Sequence, residues 1–260
     1  MDFLLLCMNQ LVNMAAKTRY ISAGEHSVPL VVRAAIGRSW GQGAQHSQAF
    51  HSYFMHIPGI KVIAPTTPHD AKGALIASIR DNNPVIFVEH RMLYKNAGYV
   101  PFESYETPFG KGRILKEGND ITIVGVSHTV EDALRASGLL KSVGVSAEVI
   151  DPISLSPLDY NLIRKSVNKT KRLLVIDNGW LTCGFAAEII TDVAINCKNI
   201  SCQRMGFAET PCPTTPSLEK DFYPNPKSIA IEANNMCDGD NKWSPPEIIQ
   251  DEIASFKGPF

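Results

Sequence analysis

The sequence predicts an α/β protein made of two units, each with a parallel sheet. Short apolar runs rich in Val and Ile, such as "VPLVVRAAI" and "NPVIFVEH", are typical of strands that are buried on both faces. Between such runs lie segments whose apolar residues recur at helical spacing, and the connections are short. This alternation of strand and helix is typical of right-handed crossovers in a parallel sheet.

The first unit is predicted to span residues 1–92 and to open on an amphipathic helix, because apolar residues recur every three or four positions over its first twenty residues. A helix is also predicted for "TTPHDAKGALIASIRDNN", with Thr67 as its cap and Pro68 at its first position. No strand is predicted ahead of the opening helix, so the sheet of this unit is expected to be incomplete. Its strands are "VPLVVRAAI", "KVIAP" and "NPVIFVEH".

Residues 93–118 are rich in Gly, Pro, Tyr and charge and are predicted to be a linker. A second unit is predicted over 119–235, where the strands "ITIVGVS", "VSAEVID" and "KRLLVID" alternate with the helices "VEDALRASGLLKSVG", "PLDYNLIRKSVNKT" and "GFAAEIITDVAIN". Residues 236–260 are polar and weakly patterned, which predicts a tail.

Composition and charge exclude several classes of function. With 25 Lys and Arg against 26 Asp and Glu the formal net charge is −1, so we expect neither nucleic acid nor membrane as a partner. The six cysteines form no C-x-x-C pair and are too widely spaced for a secreted disulfide framework. This pattern predicts reduced thiols and a cytoplasmic protein.

The stretch "GQGAQHSQAFHSYFMHIPG" places three histidines behind a glycine-rich run. His46, His51 and His56 are five residues apart, and on a helix neighbouring members of this series would diverge by about 140°, which argues against a shared metal. The glycines match neither G-x-G-x-x-G nor a Walker loop, but they let the backbone approach a ligand closely. From the residues alone, His46 is either a cap of the following helix or a functional side chain.

Five segments of the chain resemble, in order, the β subunit of thiamine-diphosphate-dependent 2-oxoacid dehydrogenases, the E1 β component, within the transketolase superfamily. The resemblance covers Asp2 to about Tyr223. It implies a pyrimidine-type thiamine-diphosphate-binding domain followed by a transketolase C-terminal-type domain. The segments are "DFLLLCMNQLVNMAAKTRY", "GAQHSQ", "IPGIKVIAP", "DAKGALIASIRDNNPVIFVE" and "DNGWLTCGFAAEI".

The resemblance implies a function in oxidative decarboxylation of a 2-oxoacid, with transfer of the acyl group to the lipoyl group of an E2 core. The implied cofactor is thiamine diphosphate, shared with an E1 α subunit that holds Mg²⁺. The implied partners are that α subunit, a second β chain, the E2 core and a small 2-oxoacid. The residues do not indicate which 2-oxoacid is used.

The resemblance also implies roles for single residues. His46 of the H-S-Q motif is expected to contact the reacting intermediate, and Phe3 is expected to stack on the aminopyrimidine ring of the cofactor. A structural K⁺ found in some family members is expected at Ser78, Asp81 and Asn83, although a plain solvated helix end remains an equal alternative.

The chain departs from the family at its start. Glu25 is the only acid between Asp2 and the H-S-Q motif, and it follows the helix, so the family's activating glutamate has no counterpart. We therefore expect a chain that begins inside the first domain and is inactive by itself. Pro152 stands where such chains commonly carry Arg. The alternatives are a split transketolase-like subunit acting on sugars and a non-catalytic assembly protein.

Overall fold

The structure is a computed structural model that describes residues 1–37, 41–240 and 242–245. Its first element is a continuous helical segment in which the turn type changes along the chain. The predicted helix is therefore present, with 3-10, π and α geometry in succession rather than one α-helix. The three parts are Leu4–Cys7 (3-10), Asn9–Ala15 (π) and Ala16–Ile21 (α1).

The first sheet has four strands in the spatial order β1-β3-β2-β7. The three predicted strands are confirmed, and they pair in parallel as expected. The fourth strand comes from the second unit and pairs antiparallel with β2, an edge strand that the sequence pattern did not predict. The strands are β1 (Val31–Ile36), β2 (Lys61–Ile63), β3 (Val85–His90) and β7 (Ser154–Ser156).

The helices of the first unit connect these strands. The hydroxyl of Thr67 accepts a hydrogen bond from the Asp70 N–H at 3.1 Å, which confirms the predicted cap. A 3-10 helix, Arg91–Lys95, follows β3 directly. The α-helices are α2 (Gly43–His46), α3 (His51–Met55) and α4 (Pro68–Arg80).

The second sheet has five strands in the order β4-β6-β5-β8-β9. Its inner strands are parallel, whereas β4 runs antiparallel to β6 and lies within the stretch predicted as a linker. Every residue of β5 and β6 is buried. The strands are β4 (Arg113–Lys116), β5 (Ile121–Gly125), β6 (Ala147–Asp151), β8 (Arg172–Trp180) and β9 (Ser201–Phe207).

Helices cover both faces of the second sheet. One face packs against α5 and α9, and the other packs against α6 and α7 together with residues of the first unit. This burial on both faces explains why the strands read as continuous apolar runs. The helices are α5 (His128–Leu140), α6 (Tyr160–Thr170), α7 (Phe185–Asn196), α8 (Pro216–Phe222) and α9 (Pro226–Met236), with a 3-10 turn at Lys141–Val143.

Polar side chains hold the two sheets together at a buried junction. The Thr66 hydroxyl donates to the Ser127 carbonyl at 3.1 Å, and Arg113 pairs with the buried Asp70. The neighbouring carboxyl of Asp151 is fully buried, and this burial raises its pKa to about 7.

Trp243, in the part of the tail that the structure describes, packs on the core of the second unit. The rest of the predicted tail, residue 241 and residues 246–260, lies outside the described residues. Among the helices that the structure describes, none combines the length and apolar character needed to cross a membrane.

Candidate active site

His46 ends the short helix α2 and its side chain is exposed. The turn before it depends on glycine, because Gly41 and Gly43 have φ of 83° and 69°. A Cβ on Gly43 would lie 2.7 Å from the Thr214 hydroxyl, so a larger residue would also clash. The Gly41 N–H donates to Glu219 Oε2 at 3.1 Å. The glycines therefore seat the His46 turn against the second unit.

Phe3 lies beside His46, so the structure brings together the two residues predicted for the cofactor site. The ring centroids are 5.6 Å apart with an edge-on angle of 62°. Phe3 is 61% exposed, which is unusual for a phenylalanine and leaves ring surface available for a flat ligand.

Two charged residues that sequence reasoning missed fix this turn from opposite sides. Asp2 Oδ1 accepts a hydrogen bond from the Gln48 N–H at 2.8 Å. Arg91 Nη1 donates to the His46 carbonyl at 3.3 Å. Neither contact has a local signal, because the partners are separated by 46 and 45 residues in the chain.

The residues at this place fit part of a thiamine diphosphate site. The exposed ring of Phe3 suits stacking on an aminopyrimidine, and the exposed imidazole of His46 can exchange a proton with a bound group. Asp2, the carboxylate next to Phe3 in the sequence, already accepts a hydrogen bond from the Gln48 N–H. It is therefore committed to holding the turn.

The residues predicted to hold K⁺ meet in a separate cluster at the other end of β3. Both the N–H and the side-chain amide of Asn83 donate to Asp81 Oδ1, at 2.8 and 2.9 Å, and Lys61 pairs with Asp81 Oδ2. Burial acts to raise the pKa of Asp81, but the bonds from Lys61 and Asn83 hold it below its usual value. The Ser78 hydroxyl donates to the Ala74 carbonyl at 2.7 Å. The Lys61 ammonium thus already neutralises the carboxylate of this cluster.

The other two histidines of the motif point elsewhere. His51 is fully buried and its Nε2 lies 3.0 Å from Asp177 Oδ1, while Asp177 Oδ2 accepts from the Ala186 N–H at 3.2 Å. This pair ties α3 to the start of α7. His56 is exposed on the surface. Within residues 1–37, 41–240 and 242–245, no group of three or more His, Cys, Asp or Glu side chains could hold a metal ion.

A cavity of about 410 Å³ opens at the carboxyl end of β3. Its wall includes Glu89, which pairs with Arg33 and accepts a hydrogen bond from the Tyr94 hydroxyl at 2.9 Å. Burial, with this hydrogen bond, raises the pKa of Tyr94 to about 12. The phenol therefore stays protonated at physiological pH and acts as a donor.

Two protein families match the chain. The family Transketolase, pyrimidine binding domain matches residues 1–96, and the family Transketolase, C-terminal domain matches residues 110–229. These matches confirm the fold class that the resemblance implied, a pyrimidine-type domain followed by a C-terminal-type domain.

Three relatives illustrate the similarity in sequence. The β subunit of acetoin:2,6-dichlorophenolindophenol oxidoreductase is 40% identical over 241 residues in Cupriavidus necator, covering 92% of this chain and 71% of the relative. In Bacillus subtilis the same subunit is 41% identical over 231 residues, with 88% and 68% covered. The mitochondrial pyruvate dehydrogenase E1 component subunit beta of Pisum sativum is 39% identical over 243 residues, with 91% and 68% covered.

A solved structure agrees with the fold. A split gene transketolase, described as an inactive beta4 tetramer, has a TM-score of 0.75 and covers 91% of this chain and 73% of its own. At 18% identity, this similarity concerns the fold alone.

Proposed function

The chain belongs to the family of E1 β subunits, whose members combine transketolase-type pyrimidine-binding and C-terminal domains, and on that premise we propose that it forms half of a thiamine diphosphate site. The other half, with the Mg²⁺ and diphosphate contacts, is assigned to an α subunit. The assembled enzyme decarboxylates a small 2-oxoacid and passes the acyl group to a lipoyl group on an E2 core. Activity is assigned to this assembly and not to the single chain.

One observation carries the proposal: the exposed ring of Phe3, at the start of the opening helical segment, meets the exposed ring of His46 edge-on, and the His46 turn is fixed by glycines and by long-range polar contacts. When bound, thiamine diphosphate supplies the electron sink that allows a 2-oxoacid to lose CO₂. Phe3 holds the flat aminopyrimidine by stacking, and its exposed area becomes buried in the complex. His46 donates a proton to, or accepts one from, the group that reacts beside it.

Several further assignments belong to the same proposal. A K⁺ ion is also proposed at Ser78, Asp81 and Asn83. Because Lys61 already pairs with one carboxylate oxygen of Asp81, the ion would bind through the remaining oxygen atoms of this cluster. A second β chain completes an α2β2 assembly. The cytoplasm is the proposed location, because all six cysteines are free thiols.

The proposal is tested by reconstitution with an E1 α subunit from the same source organism. The purified complex is assayed for reductive acylation of lipoamide, with pyruvate, a branched-chain 2-oxoacid and acetoin each supplied with and without thiamine diphosphate and Mg²⁺. We expect cofactor-dependent turnover of pyruvate or of the branched-chain 2-oxoacid. Turnover of acetoin alone, which has no carboxyl group, would contradict decarboxylation of a 2-oxoacid. A complex that forms but neither binds the cofactor nor turns over any substrate would favour a non-catalytic assembly protein.

The role of Phe3 is tested within the same complex. Phe3→Ala should weaken thiamine diphosphate binding about tenfold, because stacking of aromatic rings contributes about 0.5–1.5 kcal/mol beyond the area that it buries. Leu6→Ala, on the same helical segment and 82% exposed, is the matched control and should leave the cofactor Kd within about twofold. Equal effects of the two variants would contradict the assignment of Phe3.

A further inference from the structure

We propose that Arg91 is a positioning residue that acts with Asp2 to hold the backbone of the His46 turn, so that the imidazole meets the reacting group in one orientation. This inference rests on the proposed function and adds a residue to its site. Neither side chain was identified from the sequence, and neither is assigned contact with the cofactor.

Arg91 holds the turn at two points. Its Nη1 donates to the carbonyl of His46 at 3.3 Å and to Gln42 Oε1 at 3.4 Å. Arg91 opens the 3-10 helix that follows β3, so its backbone is anchored in the first sheet. Arg91 therefore connects the C-terminal end of α2 to the carboxyl end of β3.

Asp2 holds the turn on its other side. Its Oδ1 accepts the hydrogen bond from the Gln48 N–H at 2.8 Å, and its Oδ2 lies 4.0 Å from Arg91 Nη2. The carbonyl of His46 and the amide two residues later are therefore held by a pair of opposite charges. The two charged side chains are only 18% and 6% exposed, so salt screens the pair less than it would screen a surface pair.

The same pair couples the two members of the candidate site. Phe3 directly follows Asp2, and its ring meets His46 edge-on. Loss of Arg91 would allow the His46 turn to shift while Phe3 keeps its place, and small misplacements of a reacting group lower turnover strongly. Arginine suits this role because its rigid planar fork reaches several acceptors at once, whereas lysine offers a single charged point.

The first experiment measures amide hydrogen exchange in residues 42–50 of the full-length chain. In Arg91→Met we expect exchange of the Gln48 amide to accelerate about tenfold, and in Arg91→Lys we expect a smaller acceleration. Arg164→Met is the matched control, because Arg164 pairs with Asp192 far from the turn. The control should leave exchange in this peptide unchanged. Unchanged exchange in Arg91→Met would overturn the proposal whatever the activity.

The second experiment asks whether Arg91 acts through His46. In the complex with the α subunit, Arg91→Met should lower kcat about tenfold and leave the KM for thiamine diphosphate within about twofold. In a His46→Asn background the same substitution should have almost no further effect, because there is no imidazole left to position. A full tenfold loss in both backgrounds, or an equal loss in cofactor affinity, would overturn the role of Arg91.

Failure of the proposed function has a different signature. A wild-type complex without any thiamine-dependent turnover contradicts the proposed function, and the exchange experiment alone then decides whether Arg91 holds the turn.

Discussion

The second sheet and the candidate active site fix their residues in opposite ways. In β5 and β6 every side chain is buried, and apolar contacts on both faces hold the strands. At the candidate site, Phe3 and His46 are exposed, and glycine conformations and polar contacts over long distances in the chain hold their backbone. Changes in the sheet should therefore affect folding, whereas changes at the site should affect chemistry with little effect on folding.

The largest effect on stability is expected inside the second sheet. Ile150 is fully buried in β6, so Ile150→Ala should lower the free energy of unfolding by about 2–5 kcal/mol through lost contacts and the cavity left behind. The matched control is Ile195, which is 75% exposed on α7. Ile195→Ala should change the free energy of unfolding by less than about 0.5 kcal/mol. Urea unfolding measures both. Similar losses of unfolding free energy in the two variants would contradict the claim that burial in the second sheet stabilises the fold.

The next effect tests how the helical segment that carries Phe3 is seated. Gly59 has a φ of 96°, and a Cβ there would lie 2.2 Å from the Ala16 carbonyl oxygen. Gly59→Ala should therefore cost about 2 kcal/mol or more and should weaken cofactor binding by displacing the segment. Gly24 has a φ of 93° but open space around it, so Gly24→Ala should cost only about 1 kcal/mol of backbone strain.

Thermal unfolding and cofactor titration of the two glycine variants separate the cost of backbone strain, which both variants share, from the cost of the clash with the Ala16 carbonyl, which only Gly59→Ala has. If Gly24→Ala destabilises as much as Gly59→Ala, backbone strain alone explains both, and the contact with Ala16 has no special role.

Much of the fold follows from local sequence. Six strands were predicted because each lies in a continuous apolar run, namely β1, β2, β3, β5, β6 and β8, and α4 was predicted because Thr67 and Pro68 mark its start. By contrast, β7 is only three residues long, and its pairing with β2 joins segments that are distant in the chain. Strand β9 was missed because five of its seven residues are polar, glycine or cysteine, "SCQRMGF", so it lacks an apolar run.

The candidate site also contains residues that the sequence predicted and residues that it did not. His46 and Phe3 were predicted through motifs that resemble a known family, and the structure places them side by side. Asp2 and Arg91 could not be predicted, because their roles depend on contacts that only the folded chain creates. The buried pair of His51 and Asp177 was missed for the same reason, since 126 residues separate its members.

An effect of a different kind, a dependence of stability on pH, is expected at the junction between the sheets, where Asp151 titrates. Asp70 from α4 and Arg113 from β4 are the charged groups that act on it, and burial raises its pKa from 3.8 to about 7. The folded state therefore binds more protons than the unfolded state between these values. Stability should fall as the pH rises from about 4 and level off above about 7, with a slope of at most about 1.4 kcal/mol per pH unit.

Asp151→Asn should remove this component of the pH dependence. Urea unfolding of both proteins between pH 5 and pH 8 gives the difference in slope. If the wild type and the variant show the same slope, Asp151 is ionised in the fold and the junction does not respond to pH in this range.

The smallest effect on stability and the largest effect on chemistry are expected at the same residue, His46. The decisive measurement compares wild type and His46→Asn in the complex with the α subunit, recording kcat for acyl transfer, the thiamine diphosphate Kd and the free energy of unfolding. We expect kcat to fall about 100-fold, as for loss of a general acid or base, with Kd within about twofold and stability within about 0.5 kcal/mol. A kcat that stays within about twofold, or a loss of stability like that at Ile150, would contradict a catalytic role for His46.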